Sequence, residues 1–152
     1  METVTSPLRN VRIVIGSIGD DIHVVGITIL AHSLRNAGAE VIQLGIQTPP
    51  DEFVATAIAE DADTIFVSSS NGHAQMFCES LRSDLNAAGA KDILLYAGGN
   101  LAVGADVPWA TTEQRMLDMG FDRAFPPRTQ PGVAISQLAS DIEKRGERHD
   151  IS

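Results

Sequence analysis

Five short apolar runs alternate with segments of helical periodicity along this chain, and that alternation constrains the fold more than any single residue does. Val11-Arg12-Ile13-Val14-Ile15-Gly16 reads as a buried strand. Beyond it, Ile27, Leu30, Ala31 and Leu34 recur at helical spacing, and Gly38 supplies a stop. Glu40 to Leu44 is a second short strand. Thr48-Pro49-Pro50-Asp51-Glu52 then opens a helix: prolines are tolerated in a first turn, and acids there face its positive end. Phe53, Val54, Ala57 and Ile58 form its expected buried stripe. Thr64-Ile65-Phe66-Val67-Ser68 carries no charge, as a central strand covered on both faces requires.

The second half repeats the pattern. Ala74, Phe77, Cys78, Leu81, Leu85 and Ala88 share one face of a helix that ends at Gly89. Ile93-Leu94-Leu95-Tyr96-Ala97 is a fourth strand, and Thr111-Thr112-Glu113-Gln114 fits a capping box for a helix stopping at Gly120. Arg123-Ala124-Phe125 is a short fifth strand. A final helix from about Pro131 to Lys144 buries Ile135, Leu138, Ala139 and Ile142. Strict alternation of this kind means parallel strands joined by right-handed crossovers. The expected fold class is therefore α/β: a single doubly wound (Rossmann-like, flavodoxin-like) five-stranded parallel sheet with helices on both faces.

At 152 residues the chain is long enough for one sizeable core. Residues 10–145 are assigned to that domain, 1–9 to a disordered lead-in and 146–152 to a flexible tail. The net charge of −9 argues against nucleic acid or an anionic membrane as partner. No apolar run reaches a membrane-spanning length, and Met1 to Arg9 lacks the apolar centre of a signal peptide. Cys78 is the only cysteine, which leaves neither a disulfide framework nor a cysteine-based zinc site. A cytoplasmic location is the simplest expectation.

In open α/β sheets ligands collect beyond the carboxyl ends of the strands. Here the first strand runs into Gly19-Asp20-Asp21-Ile22-His23-Val24-Val25-Gly26. A histidine that ligates a metal needs its second ring nitrogen held by an acceptor, and Asp21 is the candidate acceptor for His23. Gly26 would let the backbone pass close under something large. The third strand delivers Ser68-Ser69-Ser70, and the fourth delivers Gly98-Gly99-Asn100. If these three strands are neighbours, their loops line one crevice. Taken singly, each loop is an ordinary strand-to-helix turn. A phosphate-accepting receiver domain also carries an acidic pair after its first strand, as in Asp20-Asp21. It would need an acceptor aspartate ending the third strand and a lysine ending the fifth, where this chain has Ser68-Ser69-Ser70 and Pro126-Pro127-Arg128.

Asp21-x-His23-x-x-Gly26, Ser68 and Gly98-Gly99 together resemble the D-x-H-x-x-G, S-x-L and G-G motifs of cobalamin-binding domains. More narrowly, Val67-Ser68-Ser69, the run Leu95 to Gly104 and Met119-Gly120-Phe121-Asp122-Arg123 resemble the small subunit of glutamate mutase (methylaspartate mutase). The likeness covers about residues 10–144. It implies a bound adenosylcobalamin, a cobalt corrinoid, in which the protein's histidine replaces the cofactor's own base below the cobalt. By that resemblance His23 is the axial cobalt ligand and Asp21 its hydrogen-bond partner, with Asp20, Ile22 and Val24 bordering the site. Ser68, beside Ser69, lies along the pocket for the nucleotide tail, and Gly98 and Gly99 leave room for the tail to pass. Asn100, Leu101, Ala102, Val103 and Gly104 contact the tail or the corrin edge.

One position departs from the motif. Ser70 stands where S-x-L has leucine, a loss of apolar burial worth about 1–3 kcal/mol of cofactor affinity. The resemblance further implies a larger catalytic barrel subunit that binds a dicarboxylate substrate, in a hetero-oligomer of two small and two large subunits. The implied reaction interconverts L-glutamate and (2S,3S)-3-methylaspartate by radical rearrangement of the carbon skeleton, with no catalytic residue in this chain. Two alternatives share the motifs: a corrinoid carrier for methyl transfer, and a non-enzymatic cobalamin sensor or storage module.

Overall fold

The computed structural model describes residues 8–18, 25–69, 78–99, 107–126 and 129–151. Strand β1 (Arg12–Ile18) is followed by α1 (Val25–Asn36), β2 (Glu40–Thr48), α2 (Pro50–Ala59) and β3 (Thr64–Ser69). Then come α3 (Leu81–Ala87), β4 (Leu94–Gly99), α4 (Trp109–Asp118), β5 (Arg123–Ala124) and α5 (Pro131–Ile151). All strand pairs are parallel, in the order β2-β1-β3-β4-β5. The doubly wound sheet read from the alternation is the one observed, and β1, β3 and β4 are indeed neighbours. The strand order reverses between β1 and β3, so the sheet's switch point lies among the three loops singled out above.

Successive strand residues face opposite sides, and the core divides accordingly. On one face Val14, Ile65, Val67, Leu95 and Ala97 pack under Phe53, Val54 and Ala57 of α2, Leu81 and Leu85 of α3, and Met116 of α4. On the other, Ile13, Ile15, Phe66 and Tyr96 pack under Ile27, Ala31 and Leu34 of α1 and Ala134 and Leu138 of α5. Of the stripe expected on α1, Ile27, Ala31 and Leu34 are buried and Leu30 is half-buried. That expected on α2 loses Ile58, which is exposed.

Several boundaries move for identifiable reasons. β2 runs four residues past Leu44 because Gly45 takes φ +93, a conformation open to glycine, at a register shift opposite Gly16. Thr48 therefore closes the strand and does not open α2. α4 begins at Trp109, with Pro108 before it and no side-chain cap, so Thr111 and Thr112 sit inside its first turn and form no capping box. Proline sets the entry backbone and has no N–H to satisfy, which starts the helix earlier than the threonine signal suggests. α5 continues to Ile151 through Gly146, since one internal glycine costs only about 1 kcal/mol relative to alanine. Residues 146–151, assigned to a flexible tail, thus belong to the helix. Leu8, assigned to the disordered lead-in, is fully buried, and its N–H donates to the Ala37 carbonyl at 2.9 Å.

Candidate functional site

The register across the three central strands builds the site. Ile15 lies opposite Phe66, and Phe66 opposite Tyr96, which makes one layer of large side chains on the α1/α5 face. Two residues further along, on the same face, Ser17 lies opposite Ser68 and Ser68 opposite Gly98. A row of large side chains is thus succeeded by a row of very small ones, and the missing volume opens a groove of about 380 Å³.

Ile29 and Leu30 of α1 form one wall of this groove, and Pro131 and Ala134 of α5 the other. Phe66 and Phe125 form its floor, with Ser68, Thr129 and Gln130 supplying polar atoms. The floor is stiff: Phe66 and Phe125 stack at 6.0 Å and 8°, and Tyr96 meets both edge-on at 5.9 and 5.7 Å. A Cβ added at Gly98 would stand 3.1 Å from Cε1 of Phe66, so only glycine keeps this part of the cradle clear. Ile29 is 54% exposed although apolar, and it projects into the groove's rim.

Beneath the floor Tyr96 is held by charge. Its hydroxyl donates to Asp141 of α5, which also accepts two bonds from Arg123, at 2.7 and 2.9 Å. Burial would raise the Asp141 carboxyl, but bonds from Arg123 and Tyr96 outweigh it and leave the group below the usual carboxylate range. Burial first, and then the bond to Asp141, push the Tyr96 phenol well above its ordinary value. Tyr96 is therefore a neutral donor at all physiological pH. Burial also pushes the Cys78 thiol up to about 12, which leaves it an inert core residue, as its place in the apolar stripe suggested.

Of the site residues expected from the sequence, Ser68 and Gly98 meet in the groove. Ser69 and Gly99 pair with each other one position on, so they belong to the opposite face, where Ser69 is buried. Gly26 falls in the first turn of α1. Asp20, Asp21, Ile22, His23, Val24, Ser70 and residues Asn100, Leu101, Ala102, Val103 and Gly104 lie outside the described residues. What the sequence reading missed is the groove's apolar lining. Phe66 and Phe125 read as plain strand residues, and only Ile29 carried a signal, being apolar but out of phase with the α1 stripe.

What such a groove can hold follows from its lining. It suits an elongated group with a flat apolar portion that rests on aromatic rings, and with a few polar atoms to meet a serine hydroxyl. Among the described residues no cluster of His, Cys, Asp and Glu could hold a metal ion by itself. None of the described helices is long and apolar enough to cross a membrane.

Comparison with known proteins points the same way. Residues 11–126 match the family model described as B12 binding domain. A glutamate mutase sigma subunit from Haloarcula marismortui is 49% identical over 131 residues, 86% of this chain and 85% of that protein. The glutamate mutase sigma subunit of Carboxydothermus hydrogenoformans is 42% identical, covering 89% of this chain and 98% of its own length. Among solved structures, a cobalamin-binding protein from Desulfitobacterium hafniense superposes with a TM-score of 0.69. That match is 21% identical and covers 88% of this chain and 59% of the other, and it bears on the fold alone.

Proposed function

We infer the role of this chain from its membership: it belongs to the B12-binding domain family and, within it, to the sigma subunits of glutamate mutase. It is the cobalamin-binding component of an isomerase, and a sigma subunit works with a separate catalytic subunit. The finer reading is our proposal. The cofactor is adenosylcobalamin, the partner a larger barrel subunit that binds the dicarboxylate, and the reaction the interconversion of L-glutamate and (2S,3S)-3-methylaspartate. Two small and two large subunits make up the assembly.

The groove is the observation that supports a nucleotide tail lying along this chain. The Ser17–Ser68–Gly98 row leaves the space, and Phe66 and Phe125 offer it an aromatic floor. Burying a flat base there is worth roughly 25 cal/mol per Å² of apolar surface, which favours a tail detached from the metal over a solvated one. Ser68 can donate to or accept from the tail's polar atoms. His23, on the loop after β1, would ligate the cobalt from below, and Asp21 would fix its tautomer and raise its basicity. Asp20, Ile22, Val24 and Gly26 border that ligand, and Ser70 and Asn100 to Gly104 border the groove.

When bound, the cofactor supplies the radical chemistry of the rearrangement. The chain's own task is to bind, to orient and to present one face of the cofactor to the partner. The substrate's carboxylates are left to that partner. The methyl-carrier and sensor readings share the fold, whereas the relatives matched at 42–49% identity are mutase subunits. The test is reconstitution: purified chain, a catalytic subunit from such a relative, adenosylcobalamin and L-glutamate. Formation of 3-methylaspartate that requires all four components is the expected result. Corrinoid-dependent methyl transfer without rearrangement would overturn the reading.

A further inference from the structure

We infer that a second cavity, at the amino-terminal edge of the sheet, binds a small multiply charged oxyanion. This cavity, about 320 Å³, lies at the opposite end of the strands from the groove, and the inference stands independently of the cofactor reading. Five of the chain's eleven basic residues line it: Arg82, Lys91, Arg123, Lys144 and Arg145. They include the only two lysines in the sequence. Asp92, Asp122 and Asp141 line it as well, and Asp63 pairs with Arg145 behind the wall, which leaves an excess of one positive charge in a chain whose net charge is −9.

Arg82 and Arg145 are each held in place by backbone carbonyls together with one carboxylate. Arg82 donates through Nε to the Gly120 carbonyl at 3.0 Å, and through Nη1 to those of Lys91 and Ile93 at 3.1 and 3.0 Å. Only its Nη2 meets a carboxylate, Asp122 at 2.8 Å. Its stem crosses the Gly120 backbone so closely that a Cβ there would fall 2.5 Å from it. Arg145 donates to the carbonyls of Asp63 and Asp92 at 3.2 and 3.1 Å, and to one carboxylate oxygen of Asp63 at 2.5 Å. The carbonyls fix both guanidiniums in position, and each also pairs with one carboxylate, Asp122 or Asp63, so the cavity's uncompensated charge rests on its lysines. Arg123 is paired as well, since Asp141 accepts both of its forked donors.

Lys91 and Lys144 are exposed, and the Lys144 charge is felt by the Asp141 carboxylate on the same wall. Each lysine is a point charge on a long stem with three rotatable donors that can turn toward an anion in the cavity. The volume suits an ion of phosphate size with a few waters, each of which takes about 30 Å³.

The experiment is a titration of the full ¹⁵N-labelled chain with inorganic phosphate, followed by amide resonances, against sodium chloride at matched ionic strength. Phosphate is expected to give saturable shifts at Ile93, Gly120 and Asp122 that chloride does not reproduce. The double variant Lys91→Met, Lys144→Met should bind about tenfold more weakly, with the remaining amides unmoved; tenfold corresponds to about 1.4 kcal/mol. The charge-keeping pair Lys91→Arg, Lys144→Arg should retain binding. Shifts that never saturate, shifts matched by chloride, or an unchanged midpoint in the methionine pair would overturn the inference.

Discussion

At the amino-terminal edge of the sheet, side chains are tied to the strands that begin there, while next to the carboxyl-terminal edge the same strands carry Ser17, Ser68 and Gly98. Asp63, just ahead of β3, accepts the Arg12 N–H at 2.9 Å and the Arg145 guanidinium at 2.5 Å. Asp122, ahead of β5, accepts the Leu95 N–H at 2.9 Å and Arg82 at 2.8 Å. Leu8 plugs the space beside β1. At the other end side-chain volume is withheld, and a groove results. The difference teaches a division of labour: one edge holds the strands in register, which lets the other remain open enough to receive a ligand. Sites of this kind surrender packing energy that must be recovered elsewhere in the fold.

Substitutions at the two edges should therefore separate stability from binding. The largest effect is expected for Leu8→Ala. It removes a fully buried side chain and should cost about 2–5 kcal/mol in denaturant unfolding. Cobalamin affinity of the folded variant should stay unchanged, and a parallel loss of affinity would break the division. Gly98→Ala should do the reverse. Its Cβ crowds Phe66 in the groove floor, so affinity should fall about tenfold or more, about 1.4 kcal/mol, and exceed the loss in stability.

A smaller effect distinguishes the support beneath the groove. Because the folded Asp141 carboxyl lies below its ordinary value, its stabilisation is complete above the unfolded value of about 3.9 and is lost as pH falls through the lower, folded one. Asp141→Asn should cost about 1–2 kcal/mol near neutral pH. It should also flatten the loss of stability below about pH 4 relative to the parent chain. Identical acid profiles would show that Asp141 does not carry this dependence.

Much of this architecture was legible in the sequence, because hydrophobic period and turn residues act locally. The alternation of runs gave the parallel sheet, and Ser68 and Gly98, near the ends of β3 and β4, pointed to the edge where the groove lies. Register is not local, and what depended on it stayed hidden. No pattern within β1, β3 or β4 says that Ser17, Ser68 and Gly98 form one row, or that Phe66 and Tyr96 form the row beneath. The basic cavity escaped for the same reason: Arg82, Lys91, Lys144 and Arg145 are scattered in sequence and meet only through folding. Local signals also misled where two competed, as when Pro108 started α4 ahead of the threonine pair. Residues 146–151, expected to form a flexible tail, instead continue α5 through Gly146.

The proposed binding mode is tested most directly by the absorption spectrum of cobalamin added to the purified chain, set beside the same spectrum with His23→Ala. A protein histidine below the cobalt predicts base-off, histidine-ligated absorbance in the first case and its loss in the second. Identical spectra in the two, or a cofactor that keeps its own base on the metal when bound, would contradict it.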